Sequence, residues 1–207
     1  METILIFISL IGSLTLSISG SLKAMNKNLD PFGILIIGFV TAVGGGTIRD
    51  ILIADRTVFW LNETVHLYFI LSGVIIAMIF RDKLNKFNKS LLLFDAIGLG
   101  LFTITGVQIG IENNLHVLNC IILGTVTGSF GGVLRDVLVN ETPVIFKKEI
   151  YATISILGGA IYLGLLKLNI TNPAQQIIPI VLMIIARLVI LKLKISLPQI
   201  KYRDNDS

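Results

Sequence analysis

Val43-Gly44-Gly45-Gly46-Thr47-Ile48-Arg49-Asp50 and Ser129-Phe130-Gly131-Gly132-Val133-Leu134-Arg135-Asp136 are two copies of one stretch, set inside long apolar runs at 33–54 and 120–139. Neither a glycine cluster nor an Arg-Asp pair is ordinary in such a run. Each residue of the second copy stands 86 positions after its counterpart, and that register continues outward without a gap. Ile11-Gly12 falls on Ile97-Gly98, Ile18-Ser19-Gly20 on Ile104-Thr105-Gly106, and Asn28-Leu29 on Asn114-Leu115. Gly38 falls on Gly124, Val40-Thr41 on Val126-Thr127, Leu52 on Leu138 and Val58 on Val144. About a third of the aligned positions between 11 and 60 are identical, too many for two unrelated apolar helices. The chain is an internal duplication.

The material around the repeats is that of a membrane protein. Of 207 residues 54% are hydrophobic and only 14% charged, with a mean hydropathy of +0.86. Soluble domains carry about 25% charged residues. Seven apolar runs, at 3–24, 32–54, 64–80, 90–111, 116–139, 150–166 and 175–191, approach the ~20 residues a helix needs to cross a bilayer. The connections are short, so residues 1–207 read as one all-α membrane domain. The sequence pI near 9.3 does not point to nucleic acid, because the basic residues sit in connections rather than on one soluble face.

Those basic residues set an orientation. Twelve of the 17 Lys and Arg residues, from Lys23 to Arg203, fall on the side reached after the first, third, fifth and seventh spans. Arg56 and Lys167 fall on the other side, and Arg49, Arg135 and Arg187 within spans. The positive-inside rule then places the N-terminus outside and the C-terminus in the cytosol. The first run has no basic leader and no clear small-residue cleavage site, so it reads as a retained helix. Cys120 is the single cysteine, which leaves no intrachain disulfide and no cysteine metal cluster. With three spans per copy, the second copy must enter the membrane from the opposite side. The expected layout is a first repeat at 1–80, an inverted second repeat at 90–166, a seventh helix at 175–191 and a cytosolic tail at 192–207. Inverted repeats of this kind are typical of transporters and some channels.

Gly38, Ala42 and Gly46 are four apart, as are Gly124, Gly128 and Gly132, a ridge that lets another backbone approach closely. Gly44-Gly45-Gly46 goes further. Each interior glycine costs about 1 kcal/mol against alanine, so three in a row are expected to break or kink the second span. Gly131-Gly132, with Phe130 in place of a glycine, predicts a milder kink in the fifth. Broken backbone at membrane depth is tolerated where it is buried in protein or lines a wet cavity. Arg49 and Arg135 follow the glycines by three residues, and an arginine at the centre of a span costs about 2.5–3.5 kcal/mol on insertion scales. Both are expected to face the protein interior or water. Because neighbours on a helix diverge by about 100°, Arg49 and Asp50 need not pair, and partners on other helices are expected for each. These charges serve either as a buried clamp or as groups that regulate a path.

The first and fourth spans are the polar ones. Ser9, Ser13 and Ser17 are spaced by four, with Thr15, Ser19 and Ser21 beside them, and Asp95, Thr103, Thr105 and Gln108 occupy comparable depths in the second copy. Asp95 reads either as an exposed helix cap or as a cation-attracting group at a vestibule. His66 and His116 lack ligand spacing and are expected to be solvated. No catalytic pairing is legible, so the chain does not read as an enzyme.

The doubled GGGTIRD and GGVLRD segments, placed alike in two three-helix repeats and followed by a seventh helix, resemble the prokaryotic trimeric intracellular cation (TRIC) channels. That family is also described as bacterial glycine-transporter-domain membrane proteins. The resemblance covers the chain to about Leu191. It implies a homotrimer in the prokaryotic cell membrane, surrounded by lipids, with one K⁺-conducting pore per protomer and no cofactor beyond permeant monovalent cations. By motif match, Gly44, Gly45, Gly46, Gly131 and Gly132 would kink the pore helices. Arg49, Asp50, Arg135 and Asp136 would be the charges at those kinks; the polar positions of the chain itself add Asp95 as an expected pore charge and Ser13, Ser17, Thr41, Thr103 and Thr127 as the expected polar lining. The alternative is a secondary transporter that holds the carboxylate of glycine or another small amino acid at positive half-helix ends.

Overall fold

A computed structural model describes residues 2–86, 90–147, 150–170 and 172–196, all of its long elements helical. In chain order these are α1 (Glu2–Asn26), α2 (Pro31–Leu52), α3 (Phe59–Asn62), α4 (Val65–Ile79), α5 (Arg81–Lys86), α6 (Ser90–Glu112), α7 (Val117–Leu138), α8 (Ala152–Lys167) and α9 (Ala174–Leu193). Among them α1, α2, α6, α7 and α9 are long and apolar enough to cross a membrane, while α4 and α8 are apolar but shorter, at 15 and 16 residues. The short helices α3 and α5 were not anticipated from hydropathy. Most of the expected tail at 192–207 lies outside the described residues.

Helix ends repeat along with the sequence. Asn28 and Asn114 both adopt the left-handed conformation, at φ 56° and 55°, where asparagine is among the few residues tolerated. Each closes its helix in the same way: Leu29 N donates to Ala24 O at 3.2 Å and Leu115 N to Gly110 O at 3.0 Å. The following helices start alike too. Asp30 accepts from Gly33 N at 2.7 Å to cap α2, and His116 accepts from Leu118 N at 3.3 Å to cap α7. His116 is therefore a cap, and His66, expected to be solvated, is 1% exposed in the first turn of α4.

The centre of the fold is made by α1, α2, α6 and α7. Every residue of α6 from Gly98 to Gly110 is buried, as expected of a helix that is apolar all round. Two contacts define how the copies meet. A Cβ on Gly45 would lie 2.1 Å from Thr127 O of α7, and a Cβ on Gly131 would lie 2.2 Å from Thr41 O of α2. Counterpart touches counterpart in both directions, which is the signature of a two-fold relation. The same reciprocity holds between α1 and α6, where Gly12 lies against the Phe102 ring and Gly98 against Leu16. Within each copy Gly38 and Gly124 lie against Ser17 O and Thr103 O, again 86 positions apart.

At this seam the glycines do not break their helices, the first of the two outcomes expected of them. Both α2 and α7 run unbroken through their glycines, and no glycine has a positive φ. The helix-propensity cost of the glycines is a property of each residue alone, whereas their missing side chains allow two backbones to touch. Close packing offsets the propensity loss without interrupting the helix. Outward-facing positions on α9 and α4, among them Ile178, Leu182, Ile185, Tyr68 and Ile75, remain apolar and exposed, as a lipid-facing surface requires.

Candidate functional site

Arg49 sits in the last turn of α2, 2% exposed. Its Nε donates to Asp50 Oδ1 at 2.8 Å and its Nη2 to Asp50 Oδ2 at 3.0 Å, so the adjacent pair that helical geometry did not demand is made after all. Asp50, fully buried, also accepts from Arg56 Nε at 2.8 Å and from the backbone N of Phe59 at 2.9 Å. It therefore ties the end of α2 to the start of α3. The Phe59 ring lies over the guanidinium of Arg49, 5.4 Å from its centre, and fits there because Gly46 has no Cβ to meet it.

Arg135 is the counterpart in α7, also 2% exposed. Its Nε donates to Asp136 Oδ1 at 3.0 Å, while Nη1 donates to Asp95 Oδ1 at 2.6 Å and to Ser19 Oγ at 3.0 Å. Asp136 in turn accepts from Val144 N at 3.2 Å, as Asp50 does from Phe59 N. Asp95 is thus neither an exposed cap nor a vestibule group. It is 3% exposed and bonded to the arginine of the other helix. Arg187 of α9 lies beyond, stacked 4.8 Å from the Tyr151 ring centre and donating to Ile150 O at 3.3 Å.

The two clusters differ in what surrounds them. Arg135 is sealed. Arg49 instead forms part of the wall of an open cavity of about 350 Å³, lined as well by the buried Thr105, Phe102 and His66, the half-buried Ser9 and the more exposed Arg56, Glu63 and Glu112. His66 is anchored by Ser13 Oγ at 3.0 Å and lies 3.3 Å from Glu63. Glu112 accepts from Gln108 Nε2 at 3.1 Å. Phe102, 1% exposed, is part of the cavity wall, and its counterpart Leu16, 2% exposed, packs against Gly98 and lies 3.7 Å from where a Cβ on Gly131 would stand.

The hydroxyls expected to line a pore, Ser13, Ser17, Thr41, Thr103 and Thr127, are not among the residues that line this cavity. Ser17, Thr41 and Thr127 donate to backbone carbonyls of their own helices, and Thr103 packs against Gly124 and Gly128. Ser13 is engaged by His66. Of the residues that build the cavity, Thr105 stood among the polar positions of the fourth span, whereas Arg56, Phe59, Glu63 and Glu112 were not singled out as site residues. Their signal was weak, since most lie at helix ends or in the connection after α2.

Comparison with known proteins fits this geometry. The profile of the family described as "Glycine transporter" matches residues 6–82 and again 92–167, once per copy. A "UPF0126 membrane protein" of Vibrio cholerae is 32% identical over 197 residues, covering 95% of this chain and 82% of that one. The chain belongs to this family. The "UPF0126 inner membrane protein YadS" of Escherichia coli K12 is 36% identical over 157 residues, 75% of this chain and 76% of its own. Among solved structures, the TRIC trimeric intracellular cation channel orthologue from Rhodobacter sphaeroides superposes with a TM-score of 0.87 at 31% identity, covering 93% of this chain and 100% of that one. A prokaryotic TRIC channel crystallised in 0.5 M KCl also gives 0.87, at 32% identity, with coverage of 95% and 100%. The resemblance to the TRIC family read from the doubled motif therefore holds along the chain, and this is a multi-pass membrane protein with the TRIC channel fold. Its solved relatives are ion channels and not enzymes.

Proposed function

We propose that the protein is a monovalent cation channel, selective for K⁺, with one path in each protomer of a homotrimer. Seven helices cross the cell membrane, α4 and α8 as short spans, with the N-terminus outside and the C-terminus in the cytosol. The path enters the Arg49 cavity from outside, meets Phe102 and then Leu16, and continues to the Arg135 cluster at the inner face. The observation that carries this reading is the charge balance of the cavity. Arg49 and Arg56 line it with Glu63 and Glu112, and the buried Asp50 carboxylate that both arginines bond adds a third negative charge behind them, so the two positive charges are outweighed and the mouth attracts cations. At the inner end Arg135 is met by both Asp95 and Asp136. The whole-chain likeness to TRIC channel structures supports the same reading.

Phe102 and Leu16 act in this reading as an apolar constriction that gates by excluding water. Planar-bilayer recording of the purified protein under a KCl gradient tests it. Unitary currents reversing near the K⁺ potential are expected, and Phe102→Ala, which widens the constriction, is expected to raise open probability or conductance several-fold. Saturable uptake of labelled glycine without unitary current would overturn the channel.

A further inference from the structure

A second cavity, of about 410 Å³, lies away from both arginine clusters, between the end of α6, the start of α7 and the end of α8. Its walls are apolar, Ile111, Cys120, Leu163 and Leu166 among them, and Lys167 is the one charged residue that lines it. Shifted back by the repeat of 86, Ile111 becomes Met25, Cys120 becomes Ile34, Leu163 becomes Ala77 and Lys167 becomes Arg81. In the first copy these apolar positions are covered. Met25, Ile34 and Ala77 are all buried in one core cluster, and Leu84 of α5 packs against that cluster. Arg81 begins α5, whereas Lys167 ends α8 and the chain departs through Asn169 in the left-handed conformation. Among the described residues no helix follows until Ala174, and Ile170, the counterpart of Leu84, does not line the cavity. The groove is the space left where α5 has no repeat.

What fills it must be apolar along most of its length and anionic at one end. No carboxylate lines the groove, and Lys167 is exposed and makes no ion pair among the described residues. The 16 residues of α8 span about 24 Å, short of the ~30 Å of a hydrocarbon core, so the end of this helix draws the headgroup layer down to it. A lysine there extends along apolar surface and meets phosphate. Beside the groove, Leu118 of α7 and Ile161 of α8 are apolar and exposed, so its opening continues into the lipid-facing surface. A polypeptide segment from a second copy would instead bring backbone polar groups that these walls cannot hydrogen-bond. We infer that the groove is a binding site for a phospholipid with an anionic headgroup, one acyl chain lying where α5 lies in the first copy and the phosphate on Lys167. The orientation proposed above makes this a lipid of the outer leaflet, and the site stands independently of ion conduction.

Native mass spectrometry of the full-length protein in detergent, titrated with dioleoylphosphatidylglycerol, tests the site. One lipid retained per protomer is expected, with dioleoylphosphatidylcholine, which has the same chains and no net charge, at least fivefold weaker. Lys167→Glu is expected to weaken phosphatidylglycerol binding at least tenfold. Leu163→Trp, which fills the groove, is expected to weaken both lipids. Lys192→Glu, in the last turn of α9, is the control for nonspecific attraction and is expected to bind within twofold of the wild type. A Lys167→Glu protein that melts like the wild type in lipid-free detergent shows that the loss is not one of folding. Wild-type protein that retains no lipid, Lys167→Glu protein that binds it undiminished, or an equal loss in Lys192→Glu would each overturn the inference. A Leu163→Trp oligomer that dissociates while its lipid count stays the same would overturn it too, by giving the groove to a second copy of the chain.

Discussion

Gly45→Ala is expected to destabilise the fold, although alanine is the better helix former by about 1 kcal/mol. The added Cβ would stand 2.1 Å from Thr127 O and 3.4 Å from Gly131 N. Carbons in proteins essentially never approach within 3.0 Å of such an atom, so α2 and α7 must separate by about 1 Å at their crossing. A gap of 0.5–1 Å forfeits roughly a quarter to a half of the dispersion well for each contact across it, and the obstructing atom is backbone rather than a side chain that can turn aside. Overpacking of this kind costs about 1–3 kcal/mol, which at about 2–4 °C per kcal/mol for a chain of this size lowers the melting temperature by roughly 2–12 °C. Gly164→Ala is the control: a Cβ there meets nothing within 4 Å, so the propensity gain stands alone and the change is expected to be neutral or stabilising. Gly131→Ala meets Thr41 O at 2.2 Å and should behave like Gly45→Ala. The double variant should cost less than the two single costs together, since helices already forced apart accommodate the second methyl more easily. Thermal unfolding of the four variants in one detergent is the assay. A Gly45→Ala protein as stable as Gly164→Ala, or strict additivity at the crossing, would refute the account of the seam.

Asp95→Asn removes one of the two carboxylates bonded to Arg135 while keeping its size; a loss of about 3 kcal/mol is expected, the low end for breaking a buried pair because Asp136 remains. Melting of this variant beside Glu141→Gln checks it, since the latter touches a partly exposed network of Lys23 at 2.6 Å and Lys27 at 2.9 Å and should cost no more than about 1 kcal/mol. Those lysines hold the Glu141 carboxyl down to about 2 from its usual 4.5. A depressed carboxylate contributes above its unfolded pKa and loses that contribution as pH falls toward the folded one. The wild-type melting temperature should therefore decline between about pH 4.5 and pH 2, with Glu141→Gln declining less over the same window.

Much of this arrangement is written in the spacing of residues. The 86-residue register predicts which contacts recur, and Asn28 with Asn114, Gly45 with Gly131 and Arg49 with Arg135 all take matching positions. The interior placement of both arginines follows from the cost of a charge in hydrocarbon. The role of the glycines does not follow from the sequence, because a propensity scale sees one helix whereas Gly45 is decided by the carbonyl of Thr127 on another. The bond from Arg135 to Asp95 spans 40 residues and joins helices whose rotation hydropathy does not specify. The burial of His66 likewise depends on Ser13 and on the Phe59 ring 4.7 Å away, both brought from other elements. Arg49 pairing with Asp50 was missed for a local reason: long flexible side chains at a helix end bridge a divergence that short ones cannot.

The reciprocal crossing has a consequence for how the two copies can drift apart. A methyl added to either helix at Gly45 or Gly131 is felt by both, so the middle of the molecule can change only in concert and holds the halves to a common form. Ser9 and Asp95 occupy matching positions but touch different neighbours, and a substitution at one leaves the other untouched. Divergence after the duplication is therefore steered away from the centre and toward the two membrane faces. One end could close on an internal carboxylate while the other stayed open, without disturbing the joint that holds the copies together.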